Sequence, residues 1–200
     1  MTESLQKTGK RKAHASAMRR AILSAAAAIL AKEGINALSA RRLASATNMS
    51  TKVIYSHFGG MPGVTSALYA HGFEMLLVQL ETAAGADANL EAIALAYRGF
   101  ALKNCDLFDI MYGPPVASLL PTNESRAAAR PSLDLLVRAF IQRGSTNPED
   151  KARQFWASLH GITALERGQW FDADETLARL KTLCRHYENG QYPESTLHPK

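Results

Sequence analysis

The stretch LSARRLASATNMSTKVIYSHF, residues 38–58, predicts two short helices joined by a tight turn. Ser39 is placed to cap the first helix and Ser50 to cap the second. Asn48 lies in the turn, where asparagine enters the left-handed backbone region at little cost. Two helices joined by three or four residues are typical of a helix-turn-helix.

The second helix of this pair has an apolar side and a polar side. The apolar residues are Val53, Ile54 and Phe58. In a helix-turn-helix, the second helix enters the major groove of DNA with its N-terminal residues. We therefore expect Thr51 and Lys52 to contact base edges, and Tyr55 and His57 to donate hydrogen bonds to phosphates.

The start of the first helix adds further groups that suit DNA. Arg41 is placed to bind a guanine or a phosphate with its forked guanidinium. The backbone N–H groups that follow Ser39 offer a second place for a phosphate. The predicted DNA-binding set is therefore Ser39, Arg41, Ser50, Thr51, Lys52, Tyr55 and His57.

The positive charge of the chain is concentrated around this motif. The 200 residues carry a net charge of +5, but residues 1–60 hold ten Lys or Arg against Glu3 and Glu33, a local charge of +8. The remainder holds thirteen basic and sixteen acidic residues, a charge of −3. Such a footprint indicates a polyanion partner for the N-terminal third. The alternative is a solvated basic tail.

Composition limits the classes of protein that remain. Ala and Leu dominate, and alternating β-branched runs are lacking, which favours an all-α fold. We find no apolar run long enough for a membrane span and no signal-peptide pattern, so no membrane partner is expected. Two cysteines are too few for a disulfide framework, which favours a reducing, cytoplasmic location. Spacings typical of metal ligands or of phosphate-binding loops are lacking, so no metal, cofactor or catalytic residues are expected.

At this point the motif identifies a family. The segment SARRLASATNMSTKVIYSHFGG resembles the DNA-binding segment of the TetR family of transcriptional repressors. Residues that fit the family pattern are Ser39, Leu43, Ala44, Ser50, Ile54, Tyr55 and Phe58. Asn48 stands where glycine is usual, and Met61 stands where many members carry a lysine that grips a phosphate. Because Met61 stands in place of that lysine, we expect one contact fewer with the DNA phosphate backbone and weaker binding to DNA.

A second resemblance lies in the C-terminal part of the chain. Trp156, His160 and Gly161 match the TetR-family C-terminal type named for Trp, His and Gly. A stripe of small residues follows the same helix: Ala157, Gly161, Ala164 and Gly168. Glycine inside a helix costs about 1 kcal/mol relative to alanine, and close approach of another helix would compensate for it. That other helix belongs either to a second subunit or to the same chain.

The C-terminal part also carries aromatic residues suited to a mostly apolar pocket with few polar groups. The candidate ligand-binding residues are Phe100, Phe108, Met111, Tyr112, Trp156 and His160. Tyr112 and His160 have polar tips that would orient a ligand. The alternative for each of these side chains is an ordinary place in the core.

The predicted organisation is a disordered basic tail over residues 1–15, a three-helix DNA-binding head over 16–60, and a larger helical-bundle body over 61–200. The body is expected to bind a small, mostly apolar effector and to form a homodimer. The resemblance implies a repressor that binds a palindromic operator in double-stranded DNA and that the effector releases. The alternatives are a constitutive, architectural DNA-binding protein without an effector, and a helical enzyme.

Overall fold

The structure is a computed structural model that describes residues 2–113 and 123–189. Within these two ranges the secondary structure consists of helices and turns, without β-strands. This confirms the predicted all-α fold class. The α-helices run as follows: α1 Thr2–Glu33, α2 Ala40–Thr47, α3 Thr51–Phe58, α4 Met61–Ala84, α5 Leu90–Lys103, α6 Cys105–Tyr112, α7 Asn123–Ala127, α8 Arg130–Gln142, α9 Pro148–Arg167 and α10 Ala173–Glu188. A 3₁₀ turn, Ile35–Ala37, joins α1 to α2.

Helix α1 begins earlier than the sequence predicted. We expected a disordered tail over residues 1–15 and a cap at Ser16, whereas the helix extends back to Thr2. The residues before Ser16 include several good helix formers (Leu, Gln, Lys, Arg and Ala), and Gly9 is the one glycine among them. No residue there has the backbone-breaking effect of proline, so a helix already formed over Ser16–Glu33 extends at low cost.

The helix-turn-helix forms where it was predicted. Asn48 ends α2 in the left-handed conformation, with φ of 53°, and the N–H of Met49 donates to the carbonyl of Ala44 at 3.0 Å. Helix α1 packs on both α2 and α3. The apolar residues of this small core are all buried: Ile22, Ala26, Ile29, Leu30, Leu43, Ala44, Ile54 and Phe58.

By packing, the chain divides into two compact units. The first contains the described residues up to Gly72 together with those between Asn104 and Ala127, and the second contains Phe73–Lys103 and the described residues from Ala128 onward. The predicted boundary near residue 60 does not coincide with this division, which falls within α4. The first unit thus contains the helix-turn-helix, the start of α4, and α6.

Close helix packing shapes the first unit. A Cβ atom built on Gly72 of α4 would lie 2.5 Å from Sδ of Met111 in α6. A side chain at this position would therefore require Met111 to move. At the start of α4, a Cβ on Gly63 would overlap the carbonyl oxygen of Phe58, the last residue of α3.

The second unit is built on packing among α5, α8, α9 and α10. Its core contains a cluster of three aromatic rings, in which Phe140, Phe155 and Tyr187 lie with ring centroids 5.2–6.0 Å apart. The pairs are edge-on or tilted, the arrangements that aromatic quadrupoles favour. This cluster joins α8, α9 and α10.

Candidate nucleic-acid interface

Helix α3 carries its predicted DNA-binding side chains on the side opposite the core. Thr51, Lys52 and Tyr55 are exposed, and Tyr55 keeps 58% of its surface accessible to solvent. Ile54 and Phe58, from the same helix, are 0% and 8% exposed. The structure thus brings three of the predicted residues together on one accessible helix face.

The starts of α2 and α3 differ in how they are capped. Ser39 accepts a hydrogen bond from the N–H of Arg42 at 3.2 Å, as predicted. Ser50 has the extended backbone of a capping residue, but its hydroxyl makes no capping hydrogen bond, so the predicted bond is wrong. The first N–H groups of a helix have no partner within the helix. At α3 the N–H of Val53 donates to the carbonyl of Ser50 at 3.0 Å, and no capping side chain covers the N–H groups of Thr51 and Lys52.

The two neighbouring arginines of α2 have different surroundings. Arg42 donates from Nε and Nη2 to the carboxylate of Glu33, at 3.0 and 2.6 Å. These hydrogen bonds raise the pKa of Arg42 and lower the pKa of Glu33. Arg41 is exposed. The geometry therefore assigns Arg42 to fixing α2 against the end of α1, and leaves Arg41 accessible.

His57 lies in a different setting from the other α3 candidates. It is half-buried, and its backbone carbonyl accepts a hydrogen bond from Nη1 of Arg19 at 2.7 Å. The guanidinium of Arg19 also lies 4.4 Å from the ring centroid of Phe58. A cation is favourable at the negative end of a helix dipole. Arg19 of α1 thus holds the C-terminal end of α3.

The basic residues at the N-terminal end of α1 complete the predicted positive footprint. They are Lys7, Lys10, Arg11 and Lys12. Apart from Lys7, Lys10, Arg11 and Lys12, whose side chains lie outside the described part of the structure, the exposed cations of this region are Arg19, Arg20, Lys32, Arg41 and Lys52.

The predicted ligand-binding residues are divided between the two units. In the first unit, Phe108 and Tyr112 have ring centroids 4.6 Å apart, and Met111 packs against Gly72. In the second unit, Phe100 is fully buried, and Trp156 meets Phe73 edge-on at 6.4 Å. The six residues are therefore not gathered within either unit.

Polar contacts in the second unit join α5 to α9. Oη of Tyr97 lies 3.0 Å from Nδ1 of His160, and the next residue of α5, Arg98, forms an ion pair with Glu166. Burial lowers the pKa of His160, and the positive charge of Arg167 lowers it further. The pKa of Arg98 is raised, chiefly by its hydrogen bond to Glu166. The neutral imidazole of His160 is therefore part of the α5–α9 packing.

The stripe of small residues on α9 faces away from its own unit. Ala157, Ala164 and Gly168 are exposed, and a Cβ built on Gly161 would meet no atom within 4 Å. This open space contradicts close packing of Gly161 inside the monomer. Two leucines close to this stripe in sequence are also exposed: Leu165 of α9 keeps 41% of its surface accessible, and Leu177 of α10 keeps 39%. A groove of about 640 Å³ runs along these two helices, with Ile162, Leu165 and Ala178 among its walls.

Within residues 2–113 and 123–189, His, Cys, Asp and Glu form no group of three or more that could hold a metal ion. None of the helices in this part of the chain combines the length and the apolar character that crossing a membrane requires. Burial raises the pKa of the Cys184 thiol to about 12, which makes it a poor nucleophile.

Sequence reasoning did not identify several residues that shape these sites. Arg19 and Gly63 act through contacts with the end of α3, and a pairing across 38 residues leaves no local pattern. Ser132, a buried polar residue of α8, was also missed. Its only signal is a serine in a largely apolar helix, PSLDLLVRAF.

Comparison with protein families gives two matches. The family described as bacterial regulatory proteins, tetR family, matches residues 22–68, which include the helix-turn-helix. The family described as tetracyclin repressor-like, C-terminal domain, matches residues 90–184, which include Trp156, His160 and Gly161. The two matches cover the regions in which the sequence showed its two resemblances.

Comparison with individual proteins gives one similar transcriptional regulator and two similar structures. The chain is 25% identical over 178 residues to YobS, an uncharacterised HTH-type transcriptional regulator of Bacillus subtilis (strain 168), covering 84% of this chain and 90% of YobS. A solved structure of a protein of unknown function from Rhodococcus sp. RHA1 is 28% identical, with a TM-score of 0.73, over 86% of this chain and 94% of that one. The multidrug binding protein EbrR shares the fold at 21% identity and a TM-score of 0.59, over 84% and 93%.

Proposed function

Because the chain belongs to the TetR family of transcriptional regulators, which are DNA-binding proteins and not enzymes, we propose that it is a homodimeric repressor. It binds a palindromic operator and leaves it when a small, mostly apolar effector binds to the body. The observation that carries the proposal is the accessible face of α3, where Thr51, Lys52 and Tyr55 lie opposite a buried apolar side. We expect this activity in the cytoplasm, because that is where operator DNA lies.

The proposed contacts with DNA follow from where each side chain lies. Helix α3 enters the major groove, with Thr51 and Lys52 at base edges and Tyr55 at a phosphate. The hydroxyl of Ser50 and the first N–H groups of α3 bind a second phosphate. On the preceding helix, Arg41 reaches a guanine or a phosphate beside Ser39. The half-buried His57 contributes at the edge of this surface.

Pairing of two chains supplies the second half of the interface. A two-fold dimer presents two α3 helices, which must lie about 34–36 Å apart to enter successive major grooves. The exposed faces of α9 and α10 support a self-complementary contact, since Gly161 and Ala164 allow close approach and Leu165 and Leu177 supply apolar area. The same face on both subunits would pack across the two-fold axis.

The effector acts through linkage between two binding events. A molecule that binds more tightly to a conformation with a different spacing of the DNA-binding heads must lower the affinity for the operator by the corresponding factor. The aromatic residues of the body, including Phe100 and Trp156, support an apolar effector. The name of EbrR, which shares this fold, states that EbrR binds multiple drugs. A constitutive architectural protein would need no such body.

Selection of binding sites from a pool of random double-stranded DNA tests this function. We expect the purified protein to enrich an inverted repeat whose half-sites are centred about 10–10.5 base pairs, or a multiple of that spacing, apart. Enrichment of a single half-site would contradict the dimer. Recovery of unenriched DNA with strong binding to every sequence would contradict the repressor and favour an architectural protein.

A further inference from the structure

An open pocket of about 420 Å³ lies in the first unit, beside the junction of α3 and α4. Its walls come from α1, from the end of α3, from the first half of α4 and from α7. All of the lining residues belong to the first compact unit, so the pocket is formed within one body. A pocket of this volume has room for a small organic molecule.

The lining of this pocket is polar and carries positive charge. Polar groups make up more of its wall than apolar groups do, and they belong to Arg19, His57, Ser66 and Ser125. Among the described residues that line it, none is Asp or Glu. A guanidinium, an imidazole and hydroxyls are groups that donate hydrogen bonds. Such a lining suits an anion better than it suits a hydrocarbon or a cation.

Helix α4 provides the room in the pocket. Gly63, Ala67 and Ala70 recur at spacings of four and three residues, which places them on one side of the helix. All three line the pocket, and none has a side chain larger than a methyl group. Longer side chains at these positions would fill the space between α4 and Arg19.

The guanidinium of Arg19 is held at the wall of the pocket. Its Nη1 donates to the carbonyl of His57 at 2.7 Å, and the group lies 4.4 Å from the ring centroid of Phe58. Both of these partners line the pocket, so the charged end of Arg19 lies there as well. Because two contacts already restrict this side chain, a ligand would lose less free energy in ordering it.

The charge of Arg19 has no acidic partner in the part of the chain that the structure describes, where Nε and Nη2 also make no hydrogen bond. Arg42 shows what these two atoms can do. It donates from Nε and Nη2 to the carboxylate of Glu33, at 3.0 and 2.6 Å. Arg19 therefore has the pair of donors that suits two oxygens of one oxyanion.

A second cation lies close to this side of α4. Burial raises the pKa of Tyr69, and the positive charge of Arg126 opposes this rise. Tyr69 precedes Ala70 of the pocket, and Arg126 follows Ser125. Arg126 thus adds to the positive charge around the pocket that Arg19 supplies from α1.

We infer that this pocket binds a small organic anion by its phosphate or carboxylate group. Nε and Nη2 of Arg19 hold two oxygens of that group side by side, and the imidazole of His57 and the hydroxyls of Ser66 and Ser125 surround it. The carbon skeleton lies along the small residues of α4. This site belongs to the DNA-binding part of the chain and is separate from the effector site proposed in the body.

Three probes with the same three-carbon skeleton test the inference: glycerol 3-phosphate, glycerate and uncharged glycerol. Binding is measured by isothermal titration calorimetry on the whole chain without DNA. Arg19→Lys keeps the charge but removes the fork of donors, and Ala70→Leu keeps Arg19 but fills the pocket. Arg20→Lys is the matched control, because Arg20 is the next residue of α1 and does not line the pocket.

We expect at least one of the two anions to bind and glycerol not to bind. Arg19→Lys should weaken the binding of that anion about tenfold, because one charge-assisted hydrogen bond is lost. Ala70→Leu should weaken it at least as much, and Arg20→Lys should bind as the wild type does. Tighter binding of glycerol 3-phosphate would assign the site to phosphates, and tighter binding of glycerate would assign it to carboxylates.

Several results would overturn the inference. They are the absence of binding by both anions, binding of glycerol as tight as that of the anions, and an equal loss in Arg20→Lys, which would indicate general attraction to a basic surface. Wild-type affinity in Arg19→Lys or in Ala70→Leu, with an unchanged melting temperature, would do the same. Because no DNA is present, none of these results depends on the selection of an operator.

Discussion

Two glycines inside helices, Gly63 and Gly99, differ in the space that a side chain would find around them, and this difference predicts opposite effects of alanine on stability. A Cβ on Gly63 would overlap the carbonyl oxygen of Phe58, whereas a Cβ on Gly99 would meet no atom within 4 Å. Gly63→Ala must therefore displace the junction between α3 and α4, and we expect it to lower the free energy of unfolding by about 1–3 kcal/mol. Gly99→Ala should raise it by up to about 1 kcal/mol.

Urea denaturation of the two variants beside the wild type measures this difference. The close junction fixes the end of α3, so Gly63→Ala should also weaken DNA binding, and Gly99→Ala should not. Equal stabilities of the two alanine variants would show that Phe58 and Gly63 do not approach each other as described.

His160 makes the stability of the body depend on pH. Its pKa in the folded chain is lowered, first by burial and then by Arg167, from an ordinary value of 6.5. Below that ordinary value the unfolded chain binds protons more readily than the folded chain does, so stability falls as the pH falls. Between about pH 7.5 and pH 5.5 the wild type should lose more stability than His160→Gln.

The control for this prediction is His186→Gln, which alters an exposed histidine on α10. Melting temperatures of the three proteins across the pH range give the comparison. A wild type and a His160→Gln variant with parallel pH profiles would contradict the buried, neutral state of His160.

At the scale of elements, Arg19 couples α1 to α3. It bonds to the carbonyl of His57 at 2.7 Å and lies 4.4 Å from the ring centroid of Phe58. We expect Arg19→Ala to cost about 1 kcal/mol of stability, the sum of a hydrogen bond at the helix end and an exposed cation–π contact. Arg20→Ala is the matched control, because Arg20 donates a hydrogen bond to Oγ of Ser16 in its own helix, at 3.3 Å.

Thermal unfolding followed by circular dichroism distinguishes the two arginine variants. Arg19→Ala should melt below Arg20→Ala, and the difference should remain at high salt because it includes a short-range hydrogen bond. Coincident melting curves would mean that Arg19 does not hold α3.

The exposed face of α9 predicts how two chains pair. Leucine at Gly161 would force apart two helices that approach closely there, and a two-fold contact feels each substitution twice. We expect Gly161→Leu to be monomeric at micromolar concentration, with its melting behaviour otherwise preserved because the space around Gly161 is open in the monomer. Gly99→Leu, at an equally open site on α5, should remain dimeric.

Sedimentation velocity reports the state of both leucine variants. A Gly161→Leu dimer that still binds DNA would place the pairing surface elsewhere. Dissociation of Gly99→Leu as well would indicate a general effect of the added leucine.

Elements with strong local signals could be predicted from the sequence. Asn48 marks the turn of the helix-turn-helix, and Ile54 and Phe58 mark the buried side of α3, because caps and apolar spacing act within a few residues. The extension of α1 to Thr2 was missed, since a weak preference for helix does not show whether a polar segment continues an existing one. The capping bond of Ser50 was predicted and is absent.

Contacts between distant residues set the limit of sequence analysis. Nothing in the pattern distinguishes Arg41 from Arg42, yet Arg42 is bound to Glu33 and Arg41 is exposed. The pocket predicted from the aromatic residues stays a prediction, and its members Phe108 and Trp156 belong to different compact units. Spacing along a chain shows which side of a helix is apolar, and packing decides which helix that side meets.

At the scale of the whole molecule, the family assignment joins two separately recognised parts. Residues 22–68 match the DNA-binding part of the family and residues 90–184 match its C-terminal domain. The first of these contains the helix-turn-helix and has a net charge of +3, and the second contains Trp156, His160 and Gly161. We propose that the first part binds DNA and that the second part senses the effector. In this proposal α3 is the helix that contacts DNA.

Fluorescence anisotropy with the selected operator and a scrambled duplex, at one stated salt concentration, tests this claim most directly. Lys52→Ala and Tyr55→Ala should each lose at least about tenfold in operator affinity and keep the melting temperature of the wild type, because both side chains are exposed. Lys103→Ala, which removes the same charge from an exposed position on α5, should bind the operator as the wild type does. Unchanged operator affinity in both Lys52→Ala and Tyr55→Ala would contradict α3 as the recognition helix.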